Sequence, residues 1–253
     1  MKNIACLVLA AGQGKRFGGL KQLAYINNNP MIKKILLELK DIFKNHLFIV
    51  LGASQSRISP IIDDLAIPVI NDLWINGMGS SISVGVKKIK KKNYDGVLIV
   101  LGDQVGIKKN QFEKLIYHFN GNQIVASKYS DKYGVPAIFP NLYFNELECL
   151  SGESGARSIL NSKNYKILGI EIEGNAIDID TPDDLKKFME SNWLIYHDPV
   201  LGILIHGSEG SSALFFWSNS IDIPSGDLTN AIRPSFGGLF ITTPNLSSLL
   251  QVS

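Results

Sequence analysis

The chain has 253 residues, 45% of them apolar and 19% charged, with a formal net charge of +2 at pH 7. These figures exclude a disordered chain, a collagen-like repeat and a disulfide-rich miniprotein. So small a net charge does not by itself point to a nucleic-acid partner. At about 100–200 residues per domain, one domain with an appendage or two small domains fit the length.

The opening, Met1-Lys2-Asn3-Ile4-Ala5-Cys6-Leu7-Val8-Leu9-Ala10-Ala11, imitates a signal peptide, with one lysine and then an apolar run. That run is short for such a segment and leads into Gly12-Gln13-Gly14-Lys15-Arg16. A buried parallel strand over residues 4–10, feeding a glycine loop over 12–19, explains the same residues better. Pro30 opens a helix to residue 43, with Met31, Ile35, Leu36 and Leu39 on one stripe. A strand over 46–51, a helix over 54–65 and a strand over 67–70 follow. Residues 79–91 are amphipathic: Ile82, Val86 and Ile89 face inward, and Lys87, Lys88, Lys90, Lys91 and Lys92 face out. That lysine cluster reads as a solvated helix face rather than a nucleic-acid patch. Strands are expected at 96–101, 123–127, 135–139 and 166–170, with helices at 108–119 and 154–160. A short buried strand is expected at 177–179. Thr181-Pro182-Asp183-Asp184 then starts a helix, with Thr181 as N-cap, Pro182 in the first turn and acids at the positive end of the dipole.

This alternation predicts an α/β fold of Rossmann-like, three-layer α/β/α type with a mostly parallel twisted sheet. Ligands of such sheets bind beyond the carboxyl ends of the strands. Loops 11–22, 71–83 and 102–106 and the turn at Asp180 should therefore converge on one cleft. Composition changes near residue 190. Residues 1–187 carry 24 Lys and Arg against 18 Asp and Glu, whereas 188–253 carry only Arg233 against five acids. A nucleotide-handling domain over 1–190 and a lysine-free C-terminal extension over 191–253 are expected. The extension is rich in Ser, Gly and Pro, with weak strands over 200–205 and 213–217. Its His206-Gly207-Ser208-Glu209-Gly210 lacks the G-x-S-x-G spacing of a hydrolase elbow and reads as a turn. Cys6 and Cys149 lie in apolar stretches and read as two buried thiols in a reducing compartment. With no apolar run of about 18 residues, no membrane span is expected.

The strongest chemical signal is Leu9-Ala10-Ala11-Gly12-Gln13-Gly14-Lys15-Arg16-Phe17-Gly18-Gly19-Leu20-Lys21-Gln22-Leu23. Glycines let backbone N–H groups approach an anion closely. Lys15, Arg16 and Lys21 add the charge a polyphosphate needs. The string is not a P-loop, and Gly12-x-Gly14-x-x-x-Gly18 is one residue too long for a dinucleotide fingerprint. The second signal is Asp103, directly after the apolar run Val97-Leu98-Ile99-Val100-Leu101-Gly102. A carboxylate there suits Mg2+, a hard cation that takes oxygen ligands and bridges phosphates. The third is Asp180, before the helix N-cap. Serving the helix dipole is the plain alternative for it, and Asp178 is a reserve candidate. Two strand-end acids facing a cationic loop are more specific as a set than either alone.

These residues resemble the MobA-like nucleotidyltransferase superfamily, and most closely its molybdenum cofactor cytidylyltransferase branch. The resemblance covers about residues 1–190. It rests on Leu9 to Leu23, on Leu101-Gly102-Asp103-Gln104 and on Asp180-Thr181-Pro182. It extends to Asn71 with Gly77-Met78-Gly79-Ser80-Ser81-Ile82-Ser83-Val84-Gly85, to Gly134-Val135-Pro136-Ala137-Ile138-Phe139, and to Gly152-Glu153-Ser154-Gly155-Ala156-Arg157. Val135 and Val105 stand where the branch often has His or Tyr, and Pro; both positions bear on the acceptor pocket.

The resemblance implies a Mg2+-dependent, cytoplasmic enzyme that transfers CMP from CTP to the phosphate of molybdopterin and releases pyrophosphate. By the same resemblance Lys21, Arg16 and Asp103 are catalytic and Asp103 and Asp180 hold the metal. Ala10, Ala11, Gly12, Gly14, Lys15, Arg16, Lys21, Asn71 and Ser81 bind the nucleotide, with Asn71 and Ser81 helping to fix nucleotide or acceptor. A molybdoenzyme or its maturation chaperone is the implied protein partner; nucleic acid and membrane are not. Ala10-Ala11-Gly12, in place of Ala-Gly-Gly, favours CTP over GTP. Two other readings stand open: a sugar- or polyol-phosphate nucleotidyltransferase using CTP or GTP, and a non-catalytic nucleotide- or cofactor-binding chaperone of the same fold. A mere binder would have no need of the metal carboxylates.

Overall fold

The computed structural model describes residues 2–26, 29–62, 64–172 and 179–191, together with the backbone of strands at 193–198, 202–207, 212–215 and 241–243. The chain divides into two compact units, Met1–Leu185 and Lys186–Ser253.

The first unit is built on a seven-stranded sheet in the order β5-β4-β1-β6-β8-β7-β9. Its strands are β1 (Ile4–Leu9), β4 (Leu47–Leu51), β5 (Ile67–Ile70), β6 (Gly96–Leu101), β7 (Ile124–Tyr129), β8 (Lys132–Pro140) and β9 (Ile167–Glu171). A two-residue ladder, β2 (Tyr25–Ile26) with β3 (Asn29–Pro30), stands apart from it. β1 pairs in parallel with β4 and β6, β4 with β5, and β7 with β9. Only β8 runs against its neighbours. Its direction follows from its link to β7: Ser130-Asp131 joins Tyr129 to its partner Lys132, and so short a turn can only reverse the chain.

The centre of the sheet is apolar on both faces because both are covered. All six residues of β1 are buried. Cys6 and Val8 pack with Ile32 and Ile35 of α1 (Met31–Phe43), Ile58 of α2 (Gln55–Ile62) and Phe112 and Leu115 of α4 (Lys109–His118). Ala5 and Leu7 point the other way, as strand alternation requires. They meet Ile82, Val86 and Ile89 of α3 (Met78–Lys90), Phe144 and Leu147 of α5 (Phe144–Glu148) and Ile159 of α6 (Arg157–Leu160). The three-layer α/β/α fold is therefore as expected.

The departures are local. The helix expected over 54–65 ends at Ile62, and that over 154–160 shrinks to Arg157–Leu160. α5 was not anticipated; five residues carry too little period to read. Cys149 is exposed rather than buried, because the buried stripe of α5 consists of Phe144 and Leu147 and Cys149 falls outside it. Ile179 is buried in irregular backbone; residues 177 and 178 of the expected short strand, and with them Asp178, lie outside the described residues.

α7 (Pro182–Ser191) spans the division between the units. The second unit contains an antiparallel sheet in the order β10-β11-β12-β13, formed by Trp193–Asp198, Gly202–Gly207, Ser212–Phe215 and Ile241–Thr243. β11 and β12 overlap the two strands expected there. No helix among the described residues is long and apolar enough to cross a membrane.

Candidate active site

The order of the sheet reverses at β1. Chain growth runs to β4 and β5 on one side and to β6 on the other, and crevices form at such points. Beyond Leu9 the backbone is gripped from both neighbours. Ala10 N–H donates to the Val50 carbonyl at 3.0 Å, and Gly102 N–H to the Leu9 carbonyl at 3.0 Å. The glycine loop and Asp103 therefore leave the sheet side by side. Gly14 has φ of 67°, and a Cβ there would lie 2.7 Å from the Gly19 carbonyl oxygen, so only glycine fits the turn. Lys21 N–H donates back to the Gly19 carbonyl at 3.0 Å, which brings the Lys21 side chain over the end of the sheet.

There Lys21 Nζ lies 2.6 Å from Asp103 Oδ2 and 2.9 Å from Asp180 Oδ1. Arg16 Nη1 reaches the other oxygen of Asp180 at 2.9 Å. The Lys21 and Asp103 side chains are 13% and 18% exposed, against 76% for Arg16, so the inner pair is shielded and the outer one wet. Burial alone would pull the Lys21 ammonium pKa down. The charge and hydrogen bond of Asp103, then those of Asp180, outweigh it and hold the pKa above the usual lysine range. Asp103 Oδ1 is buried and has no hydrogen-bond partner among the described residues.

Asp180 is placed by a capped turn. Asp184 Oδ2 accepts from Asp180 N–H at 3.1 Å, from Thr181 N–H at 2.8 Å and from Thr181 Oγ1 at 2.8 Å, and Asp184 N–H donates to Thr181 Oγ1 at 3.1 Å. Asp184 thus serves the start of α7, which leaves the Asp180 carboxylate to Lys21 and Arg16.

Loop 11–22, Asp103 and Asp180 meet directly, as expected. Lys15 is exposed and makes no ion pair among the described residues. Asn71 and Ser81 make no hydrogen bond to Lys21, Asp103 or Asp180 among the described residues and hold each other: Asn71 Nδ2 donates to Ser80 Oγ at 2.9 Å and Ser81 Oγ at 3.0 Å, while its Oδ1 accepts from Leu73 N–H at 3.0 Å. Their loop abuts the glycine loop through Gly52, whose added Cβ would lie 2.6 Å from Trp74 Cβ and 2.8 Å from the Ala11 carbonyl oxygen. Two glutamines escaped the sequence reading. Gln22 Nε2 donates to the carbonyls of Gly12 at 2.7 Å and Ala10 at 3.3 Å. Gln104 accepts from Leu101 N–H at 3.3 Å and donates to the Val135 carbonyl at 2.9 Å, which ties the Asp103 turn to β8. Their only sequence signal is adjacency to Lys21 and Asp103.

A family model described as the MobA-like NTP transferase domain matches residues 6–167. The chain belongs to that family. As a MobA-like NTP transferase it takes a nucleoside triphosphate and a phosphorylated acceptor. Among curated relatives it is 24% identical over 187 residues to purine catabolism protein PucB of Bacillus subtilis, covering 70% of this chain and 91% of that protein. It is 26% identical over 196 residues to nicotine blue oxidoreductase of Paenarthrobacter nicotinovorans, covering 72% and 95%. Its fold matches Rv0371c of Mycobacterium tuberculosis, solved in complex with manganese, with a TM-score of 0.64 at 24% identity over 75% of this chain and 99% of that one. The segments that resemble the MobA-like pattern also touch. Gly79 N–H donates to the Gly152 carbonyl at 2.8 Å, and Gly152 N–H to the Asn76 carbonyl at 3.1 Å.

Proposed function

We propose that this chain transfers CMP from CTP to the phosphate of molybdopterin, with Mg2+, and releases pyrophosphate. The observation that carries nucleotidyl transfer is Lys21 held between Asp103 and Asp180 at the reversal point of the sheet. The donor set fits Mg2+. Asp103 offers a buried, unpartnered carboxylate oxygen, and Asp180 a second hard carboxylate on the same ammonium. Mg2+ held by two carboxylates takes its remaining oxygen ligands from water and substrate phosphates. Asp103 and Asp180 would hold it, and when bound it neutralises charge on the triphosphate.

The chain's own residues do the rest. The backbone of Ala10, Ala11, Gly12 and Gly14 cradles the nucleotide. Lys15 and Arg16, at the exposed rim, neutralise the outer phosphates. Lys21 meets the charge that develops on the α-phosphate as an acceptor phosphate oxygen attacks phosphorus and pyrophosphate leaves. The acceptor is already anionic, so no strong general base is required. His46 bonds Tyr94 at 2.8 Å before the amino end of β4, at the opposite edge of the sheet, and does not serve as one. Asn71 and Ser81 shape the neighbouring wall through Ser80 and Leu73.

The choice of CTP rests on the resemblance: the Ala11 methyl is buried in the layer under α3. Molybdopterin rests on the segments around Met78, Val135 and Gly155. The test is pyrophosphate release with each of four NTPs against molybdopterin and simple sugar phosphates. CTP with molybdopterin should be fastest. A sugar phosphate as the preferred acceptor replaces molybdopterin, and no release with any pair overturns transferase chemistry.

A further inference from the structure

Only two buried side-chain polar atoms among the described residues lack a hydrogen-bond partner: Asp103 Oδ1, already placed in the metal site, and Gln22 Oε1. Native structures satisfy nearly all such groups, so an orphan calls for a reason. Gln22 is 7% exposed, beneath the glycine loop. Both amide hydrogens of its Nε2 are committed upward, to the carbonyls of Gly12 at 2.7 Å and Ala10 at 3.3 Å. With carbonyls as partners, the nitrogen must face them and the oxygen must face away.

The consequence follows from peptide geometry. The 10–11 and 12–13 bonds are trans, since Val135–Pro136 is the cis bond of the described chain. In a planar trans unit the C=O and the next N–H point in opposite directions. Pulling the Ala10 and Gly12 carbonyls down onto Gln22 turns the N–H groups of Ala11 and Gln13 away from it; Gly12 and Gln13 are exposed and Ala11 is buried. Neither N–H is bonded to another group among the described residues.

We infer that Gln22 is a positioning residue that aims the Ala11 and Gln13 N–H groups at the phosphates of the bound nucleotide. It touches no substrate itself; it holds two carbonyls out of an anion's way and presents two donors in their place. This inference rests on the proposed NTP site and names how its glycine loop is set.

The test uses the full-length protein and Q22M, which keeps volume and removes both donors. Binding of CTP, CMP and tripolyphosphate in Mg2+ is measured by calorimetry beside kcat and KM. Charge-assisted N–H bonds are strong, so losing the aim of two should weaken CTP and tripolyphosphate about 10- to 100-fold. CMP, with one phosphate, should weaken less. A general loosening of the fold would weaken CTP and CMP alike, and that outcome overturns the inference, as does unchanged CTP binding. Where Q22M does not fold, the wild type decides: the 15N amide signals of Ala11 and Gln13 should shift on adding tripolyphosphate, and overturn the inference if they stay still while Lys21 shifts. A wild type that transfers nucleotide while Q22M matches it removes the role of Gln22 alone. A wild type that binds neither NTP nor tripolyphosphate removes both this role and the proposed function.

Discussion

Lys21 counters two carboxylates at once, and the two sides of that contact separate in experiment. Lys21→Ala should lower kcat about 10²–10³-fold, the usual loss for one donor to transition-state charge, and change KM for CTP less than tenfold. Asp103→Asn should lower kcat comparably with an unchanged circular dichroism spectrum; near-normal turnover removes Asp103 from the mechanism. Stability carries a sign. The Lys21 pKa is raised on folding, so the stability its ion pairs give is fully present below the ordinary lysine pKa of about 10.4 and fades as pH rises through the folded value. The gap in urea midpoint between wild type and Lys21→Met should therefore be flat from neutral pH to about pH 9 and narrow above about pH 10.4. At this scale much of the site was legible. Lys21 and Asp103 follow the glycine loop and the end of β6, which the apolar runs define, whereas Asp180 follows irregular backbone at Ile179. Gln22 and Gln104 were not, because which amide folds under a turn depends on the φ and ψ of that turn, as at Gly14. Burial also misled. Cys6 is enclosed and its thiol pKa pushed up, whereas Cys149 is exposed. A thiol reagent should accordingly titrate Cys149 in the native protein and Cys6 only after unfolding.

Among the elements, α3 was readable from the period of Ile82, Val86 and Ile89; what its first turn touches was not. A Cβ on Gly79 would lie 2.6 Å from backbone atoms of Ser151, and one on Gly85 would lie 2.5 Å from Leu7 Cδ2. Alanine gains about 1 kcal/mol of helix propensity in a helix interior such as Gly85, less in the first turn at Gly79, and overpacking costs about 1–3 kcal/mol. The two should still differ. At Gly85 the obstacle is the branched end of the buried Leu7 side chain, with Cδ2 at 2.5 Å and Cδ1 at 2.6 Å, so Gly85→Ala should be destabilising by urea denaturation, though one side chain rather than backbone must give way. At Gly79 the obstacle is backbone, so the 151–155 segment must shift with it. Gly79→Ala should be the more destabilising of the two, and it should also raise KM for the acceptor, because it parts the segments around Met78 and Gly155. Equal urea midpoints for the two variants count against this wall. Strand direction marks the same limit. Residues 135–139 read as a strand from their apolar run, but the reversal at β8 is set by Ser130-Asp131, a turn without glycine and hence without the usual hairpin signal.

At the scale of the whole chain, composition and contacts divide at nearby places, the last lysine at Lys187 and the unit boundary after Leu185. Every side chain placed in the site lies in the first unit, and the family match ends at residue 167. Where a truncation falls should therefore matter more than how much it removes. A chain ending at Ser191 keeps α7 and the Thr181–Asp184 turn that presents Asp180. It should retain nucleotide binding and pyrophosphate release at the full-length rate. A chain ending at residue 172 keeps the whole family match and the seven-stranded sheet but loses Asp180. Lys21 is then left with Asp103 alone, and Arg16 loses the carboxylate it holds at 2.9 Å. That shorter chain should fold by circular dichroism and still bind tripolyphosphate through the glycine loop, yet turn over poorly, because one of the two carboxylates proposed to hold the metal is gone. Comparing pyrophosphate release from the two truncations separates the roles. If 1–191 folds but is inactive, the second unit contributes to the reaction. If 1–172 is as active as 1–191, Asp180 does not hold the metal, and the proposed carboxylate pair reduces to Asp103.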